Sequence, residues 1–228
     1  MCRILAVKAD APVDVKPFLE PFTERCKVSK EFQGDGWGMA WRENGEWQSF
    51  HTLKPIWDSE VPVLPKSTLF LIHARSAFRN ELIRVENNMP FIDGDKVFLF
   101  NGELRNVKLQ APGETGAWKL FHLFKNFTNA EGGDGFRALK RLDQVVAQRT
   151  EYVRAMNIAA TDGRSVWASS RFSEDPDYFT LWTSLCERQG VAVSLLSSER
   201  FDVSGEQSCE WWGMSNPGAL EWAEDEPC

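Results

Sequence analysis

The chain opens on a strand-like pattern. "MCRILAV" carries an apolar run, Ile4 to Val7, rich in residues that suit a strand. "VDVKPFLEPF" predicts a short helix near Val15 to Leu19, interrupted by prolines. "GMAWRENGEWQSFHTL" predicts a hairpin: a run to Trp41, a turn at Glu43-Asn44-Gly45, then Trp47 to Leu53. "STLFLIHARS" and "DKVFLFNGEL" are continuous apolar strands that end in polar residues, which sets those residues at the rim of a core. The middle changes period. "GAWKLFHLFKNF" brings Trp118, Phe121, His122 and Phe124 together at helical spacing, and "GFRALKRLDQVVAQRT" repeats the pattern with Phe136, Leu139, Leu142 and Val146. Strands then return. "YVRAMNIAATD" and "RSVWASSR" flank a turn at Thr161-Asp162-Gly163, and "YFTLWTS" and "VAVSLLSSE" follow. Strands, helices, strands in that order predict an α+β domain of antiparallel sheets with helices packed on them.

Composition narrows this picture. The 228 residues are 43% apolar, enough for one substantial core or at most two small domains. No repeat or linker divides the chain, so a single domain over residues 1–228 is expected, with an acidic C-terminal tail that frays at its end. A net charge of -7 argues against a generic nucleic-acid or anionic-membrane surface, although a local basic patch can still bind a small anion. The five cysteines, Cys2, Cys26, Cys186, Cys209 and Cys228, are scattered and contain no C-x-x-C pair, which suggests neither a disulfide framework nor a zinc site. The histidines, His51, His73 and His122, are equally dispersed. No metal and no cofactor is expected. "MCRILAVKAD" is too short for a secretory signal, and no stretch has the apolar length to span a bilayer, so a cytoplasmic, reducing location is expected.

Candidate chemistry begins at Cys2. One reading makes it a small buried hydrophobe. The other starts from its small size, which allows the initiator Met1 to be trimmed and leaves a thiol with a free α-amine on one residue. "GDGWGMAW" has the backbone freedom for a tight turn or for close approach to another group. Arg75, just beyond an apolar strand, is either a solvated strand-end charge or a fork that grips a carboxylate. "ENNMPF" fits a loop-closing turn. Asn101-Gly102 is either a hairpin turn or an oxyanion hole, an amide side chain and a backbone N–H aimed at one developing charge.

In this order the motifs resemble the class II glutamine amidotransferases, N-terminal-nucleophile hydrolases, and most of all small stand-alone members without a synthase domain. The matching residues are "MCRILAV", "GDGWGMAW", "HARSAFRNELIRVENNMPF", "FNGEL", "GET" at Gly113 to Thr115, "LLSSERF" and "WWGMSNPGAL". The resemblance implies a four-layer αββα sandwich of two antiparallel sheets faced by helices. It implies Cys2 as nucleophile and mature N-terminus, its α-amine as general base, and Asn101 with the Gly102 N–H as oxyanion donors. It also implies that Arg75 holds the substrate α-carboxylate, with Gly36 and Trp37 lining the pocket behind it. The substrate implied is a small glutamine-like molecule. With no second domain to receive ammonia, simple hydrolysis or a separate ammonia-accepting partner subunit is implied. The sequence departs from the family twice. Met89 stands where many relatives have His. Gly116 stands where relatives carry the Asp that binds the substrate α-ammonium, unless Glu114 or another group substitutes. Two functions therefore stay open: an amidohydrolase acting on a γ-glutamyl amide, and a non-catalytic relative that binds a ligand or a partner.

Overall fold

The strand that follows Cys2, β1 (Arg3–Asp14), is buried over most of its length, and its pairings organise the first sheet. The computed structural model describes residues 1–60, 65–203 and 209–223. By contact the chain divides into two compact units, Met1–Pro90 with Thr180–Met214, and Phe91–Phe179 with Ser215–Cys228.

The first unit carries a seven-stranded sheet, all of whose pairings are antiparallel. After β1 come α1 (Lys16–Lys27), β2 (Trp37–Glu43), β3 (Glu46–Thr52) and β4 (Lys66–Ala74). The hairpin expected from "RENGEW" is present. Asn44 and Gly45 both have positive φ, 51° and 81°, as the tight turn matching strand twist demands. The short helix expected near Val15 to Leu19 is instead twelve residues long and runs through Pro21. Pro21 forfeits one backbone bond, but the helix buries Phe18, Leu19, Phe22 and Cys26 against Leu5, Val7, Phe70 and Ile72 of the sheet. That apolar contact outweighs one missing bond.

The second unit carries a five-stranded antiparallel sheet. Its first strands are β5 (Phe91–Asp93) and β6 (Lys96–Val107). The helices α2 (Gly116–Ala130) and α3 (Gly135–Gln148) follow, then β7 (Thr150–Thr161) and β8 (Val166–Ser170). Asp134 caps α3, its carboxylate accepting from the Arg137 N–H. The α2 face packs by rings, Phe121 and Phe124 lying 5.5 and 5.8 Å from Phe98 of β6. The turn reading of Asn101-Gly102 is overturned. Both residues lie inside β6, paired with Asn157 and Met156.

The chain then passes through α4 (Pro176–Phe179). It returns to the first sheet as β9 (Trp182–Arg188), β10 (Val191–Ser197) and β11 (Trp212–Gly213), and closes the second with β12 (Gly218–Trp222). "YFTLWTS" is therefore a strand only from Trp182, because Tyr178 and Phe179 end α4. The α+β reading is correct: two antiparallel sheets with helices packed on each. Cys2, Cys26, Cys186 and Cys209 form no disulfide among the described residues. The acidic end at 224–228 and Cys228 lie outside the described residues. No helix among the described residues is long and apolar enough to cross a membrane.

Candidate active site

The β1–β4 register decides where Cys2 goes. Arg3 pairs with Ala74, so the residue before Arg3 falls beside the residues after Ala74. The Ser76 N–H donates to Cys2 Sγ at 3.4 Å, and the thiol reaches the Ser76 carbonyl at 3.5 Å. Leu5 and Val7 turn toward α1. Side chains alternate along a strand, so Ile4, and Cys2 in phase with it, belong to the opposite, helix-free face of the sheet.

Arg75 directly precedes Ser76, whose backbone bonds this thiol, and is only 6% exposed. Its Nη1 donates to Asn88 Oδ1 at 2.9 Å and to the Arg84 carbonyl at 3.3 Å, and its Nη2 to the Leu82 carbonyl at 2.8 Å. All three acceptors are neutral. No carboxylate forms an ion pair with Arg75 among the described residues. Burial lowers its pKa from the usual value, offset in part by the nearby Cys2 thiol and Asp35 carboxylate. A buried guanidinium held by neutral oxygens, with no carboxylate in ion-pair contact among the described residues, has its orientation fixed and is suited to receive an anion.

Gly36 completes this corner. Its carbonyl accepts from the Arg75 N–H at 2.9 Å. Its φ is +109°, and a Cβ there would lie 2.3 Å from Asn88 Nδ2 and 2.6 Å from the Thr52 carbonyl, so no side chain fits. Asp35 accepts from the Ala77 N–H at 2.7 Å and holds the strand end that carries Ser76. Trp37 is placed differently from its neighbour. Its indole lies in the core beneath α1, 5.2 Å from the Phe50 ring, and its N–H bonds Ser59. Only its backbone, paired with Ala74, borders the site.

Asn101 and Gly102 belong to the second unit. Phe98 faces α2, so Asn101, three residues on, points from the helix-free face of its sheet. Asn101 is 0% exposed, and neither its Oδ1 nor its Nδ2 has a partner among the described residues. Its ladder partner Asn157 is just as buried but fully engaged, donating to the Phe179 carbonyl at 2.6 Å and accepting from Ser170 Oγ at 3.0 Å. An idle buried amide beside a satisfied one calls for an explanation. At Gly102 a Cβ would lie 2.2 Å from the Ala155 carbonyl, so the close β6–β7 approach excludes any side chain.

The sequence profile of the class-II glutamine amidotransferases matches residues 1–176. The chain belongs to that family. Among solved structures, a predicted glutamine amidotransferase from Pseudomonas aeruginosa aligns with a TM-score of 0.63 at 18% identity, over 99% of this chain and 98% of that one. A class-II domain protein from Silicibacter pomeroyi, described as a glutamine aminotransferase, aligns at 0.59 and 18% identity over 99% and 100%. An allosteric regulatory enzyme of purine biosynthesis aligns at 0.66 and 14% identity, over 98% of this chain and 47% of that one. Identities this low carry the fold alone, which is the two-sheet α+β type expected of N-terminal-nucleophile hydrolases. No curated protein matches the chain.

The departures from this family take a definite shape. Gly116 is the first residue of α2, exposed and with open space around it, and the first helical turn carries no acid. Thr115 caps the helix, its Oγ accepting from the Trp118 N–H at 3.3 Å, and the Trp118 ring stacks on Phe91 at 3.9 Å. Met89 is buried, and its carbonyl lies against Gly38 together with the His51 ring. His51 Nε2 lies 3.1 Å from the Pro90 carbonyl, a bond that needs the proton on Nε2. No group of three His, Cys, Asp or Glu side chains able to hold a metal occurs among the described residues.

Sequence reasoning brought Cys2, Gly36 and Arg75 to one corner of the first unit but missed Asn88, read only as a turn residue. Asn88 accepts from Arg75 while its Nδ2 donates to the Thr52 carbonyl at 2.7 Å, tying the guanidinium to the end of β3. The adjacent amides Asn87-Asn88 directly before the apolar Met89-Pro90-Phe91 were the available signal, and in the structure they open a buried segment after the exposed residues 81–86.

Proposed function

We propose that this family member is a cytoplasmic, single-domain amidohydrolase acting on a glutamine or γ-glutamyl amide, with Cys2 as nucleophile once Met1 is removed. One observation carries the reading: a buried guanidinium with no ion-pair partner among the described residues stands next in the chain to the backbone that bonds the Cys2 thiol. A substrate α-carboxylate supplies the missing charge and brings its side-chain amide within reach of sulfur. The Cys2 α-amine, of a class with pKa about 7.7–8.0, accepts the thiol proton through a water. A bond forms from Sγ to the carboxamide carbon. Asn101 Nδ2 and the Gly102 N–H receive the oxyanion, each such donor contributing about 3–4 kcal/mol. The C–N bond breaks and the nitrogen leaves as ammonia, or as an amine from a substituted amide, taking the proton. Water then cleaves the thioester, returning the thiol and releasing the γ-carboxylate. Ammonia is released to solvent or passed to a separate partner subunit.

Intact mass and N-terminal sequencing of protein from cells should show a chain beginning at Cys2. A glutamine-like diazo-ketone should label Cys2 alone, and Cys2→Ser should keep the fold and lose turnover. Quantitative retention of Met1, or labelling at Cys26 with Cys2 untouched, refutes the mechanism. The acid-free first turn of α2 favours a second reading, a relative that binds a γ-glutamyl ligand without turning it over. Binding of such a ligand by a trimmed, unlabelled, inactive protein would select it.

A further inference from the structure

Gln33 lies in the loop that leads from α1 into β2 and is 0% exposed. Its Nε2 donates to the Met1 carbonyl at 2.6 Å and to the Glu31 carbonyl at 2.7 Å. Its Oε1 is buried and has no donor. A buried amide oxygen without a donor is a costly arrangement, and one that a local partner removes. The Met1 carbonyl belongs to the peptide bond that joins Met1 to Cys2. Hydrolysis of that bond by a methionine aminopeptidase consumes one water and releases methionine. The acceptor for Gln33 leaves with it, and the Cys2 amine appears at the position adjacent to the lost carbonyl.

We propose that Gln33 is a positioning residue whose carboxamide holds the freed Cys2 α-amine. The inference rests on the proposed removal of Met1. The Nε2–Glu31 bond survives removal and serves as a pivot. Turning about it brings the idle Oε1 to the amine, which offers N–H donors. An amine that donates to Oε1 keeps its lone pair clear of Gln33 and free to take the thiol proton through water. The other ionisable groups at this end are Glu31, which pairs with the Met1 ammonium, the Cys2 thiol itself, Arg3 with its ion-pair partner Glu199, Asp35 beside Arg75, the Arg75 guanidinium, and the Cys26 thiol, whose pKa burial raises. Gln33 is uncharged, so replacing it leaves all of these in place.

The test uses the trimmed full-length protein, with a γ-glutamyl amide as substrate. Gln33→Met keeps the length of the side chain and removes both amide functions. We expect kcat to fall about tenfold with KM within about twofold. The acid limb of the kcat/KM profile should move to lower pH by about half a unit, because an acceptor of N–H bonds stabilises the ammonium form. A role in folding alone would lower the yield of active protein without moving the limb. Wild-type protein supplies a second measurement that needs no variant. The assigned side-chain amide signals of Gln33 in a 15N–1H spectrum should titrate with the amine in trimmed protein and stay fixed in protein that retains Met1. An unmoved limb in Gln33→Met, or Gln33 signals that do not titrate in trimmed protein whose Cys2 takes the electrophile, overturns the inference and leaves the amidohydrolase reading standing. Quantitative retention of Met1 in cells overturns both.

Discussion

Asn88 shows how much rests on a single amide. Its oxygen takes one N–H of Arg75, its nitrogen donates to the Thr52 carbonyl, and its bulk forbids a side chain at Gly36. A hydrogen bond to a charged donor contributes about 1.5–3 kcal/mol, so Asn88→Ala should raise KM for a carboxylate-bearing substrate about tenfold or more, with kcat nearly unchanged. Steady-state kinetics on a γ-glutamyl amide checks this, and a fall in kcat at constant KM would place Asn88 elsewhere in the mechanism. Gly116 is the opposite kind of position. Nothing lies within 4 Å of a Cβ built there, so an acid enters without displacing a neighbour. With no carboxylate in the first turn of α2, the substrate ammonium loses the charge-assisted hydrogen bonds that an acid there would give it, worth about 1.5–3 kcal/mol each. Free glutamine should therefore be a poor substrate, N-acyl-glutamine or a bulkier γ-glutamyl amide a better one, and Gly116→Asp should raise turnover of free glutamine. A panel of the three substrates on both proteins measures it. Efficient turnover of free glutamine by the unaltered chain would show that another acid takes the role.

At the scale of elements, local rules and burial pull in different directions, and burial wins where they conflict. The β2–β3 hairpin was legible because turn chemistry and alternation agree at Asn44-Gly45. The α1 helix was under-read because Pro21 breaks the local rule, while Phe18 and Phe22 satisfy the non-local one by packing on Phe70 and Phe201. Phe22→Ala should lower stability by about 3–5 kcal/mol, read as a shift in the urea midpoint, because the ring is fully buried between helix and sheet. A change under about 1 kcal/mol would mean that the helix contributes little to this core. The Asn-Gly dipeptide in β6 misleads for the same reason. Its turn propensity is local, whereas pairing with Asn157 and Met156 across β7 fixes it as strand. The last strand, β12, sits in an acidic, Trp-containing tail whose alternation is plain only beside its partner β8.

At the scale of the whole molecule, two sheets are each assembled from distant parts of the chain, and this is what the one-dimensional pattern conceals. The proposed site residues are legible as types, since Cys2, Arg75, Asn101 and Gly102 stand out by chemistry. Which of them touch depends on a register, Arg3 with Ala74, that no local signal prints. Folding also sequesters charge-capable groups. His73 is fully buried with both ring nitrogens unpartnered among the described residues, and burial, with Arg75 and His51 adding repulsion, lowers its pKa to about 3. The unfolded chain takes up a proton near pH 6.5 that the folded chain refuses. Stability thus rises with pH through this window, and the contribution present above about pH 6.5 is lost progressively as pH falls toward 3, on the order of 5 kcal/mol in all. His73→Gln, uncharged at every pH, should show a flatter urea-midpoint profile than wild type across that range, so the wild-type-minus-variant difference should fall steadily as pH drops from about 6.5 toward 3. A parallel pair of curves would show that His73 protonates in the folded protein.

The placement of Met1 has a practical consequence for anyone who makes this protein. Met1 is 8% exposed, its ammonium against Glu31 and its carbonyl against Gln33, with the Cys2 thiol one residue away. An affinity tag fused ahead of Met1 would have to thread its linker through that packed corner, and it would leave Cys2 locked as an internal residue. If Cys2 acts through a free α-amine as proposed, assays on such a fusion would report an inert protein whatever the native chain does. A purification handle belongs at the other terminus, or behind a protease site whose cut leaves cysteine as the first residue.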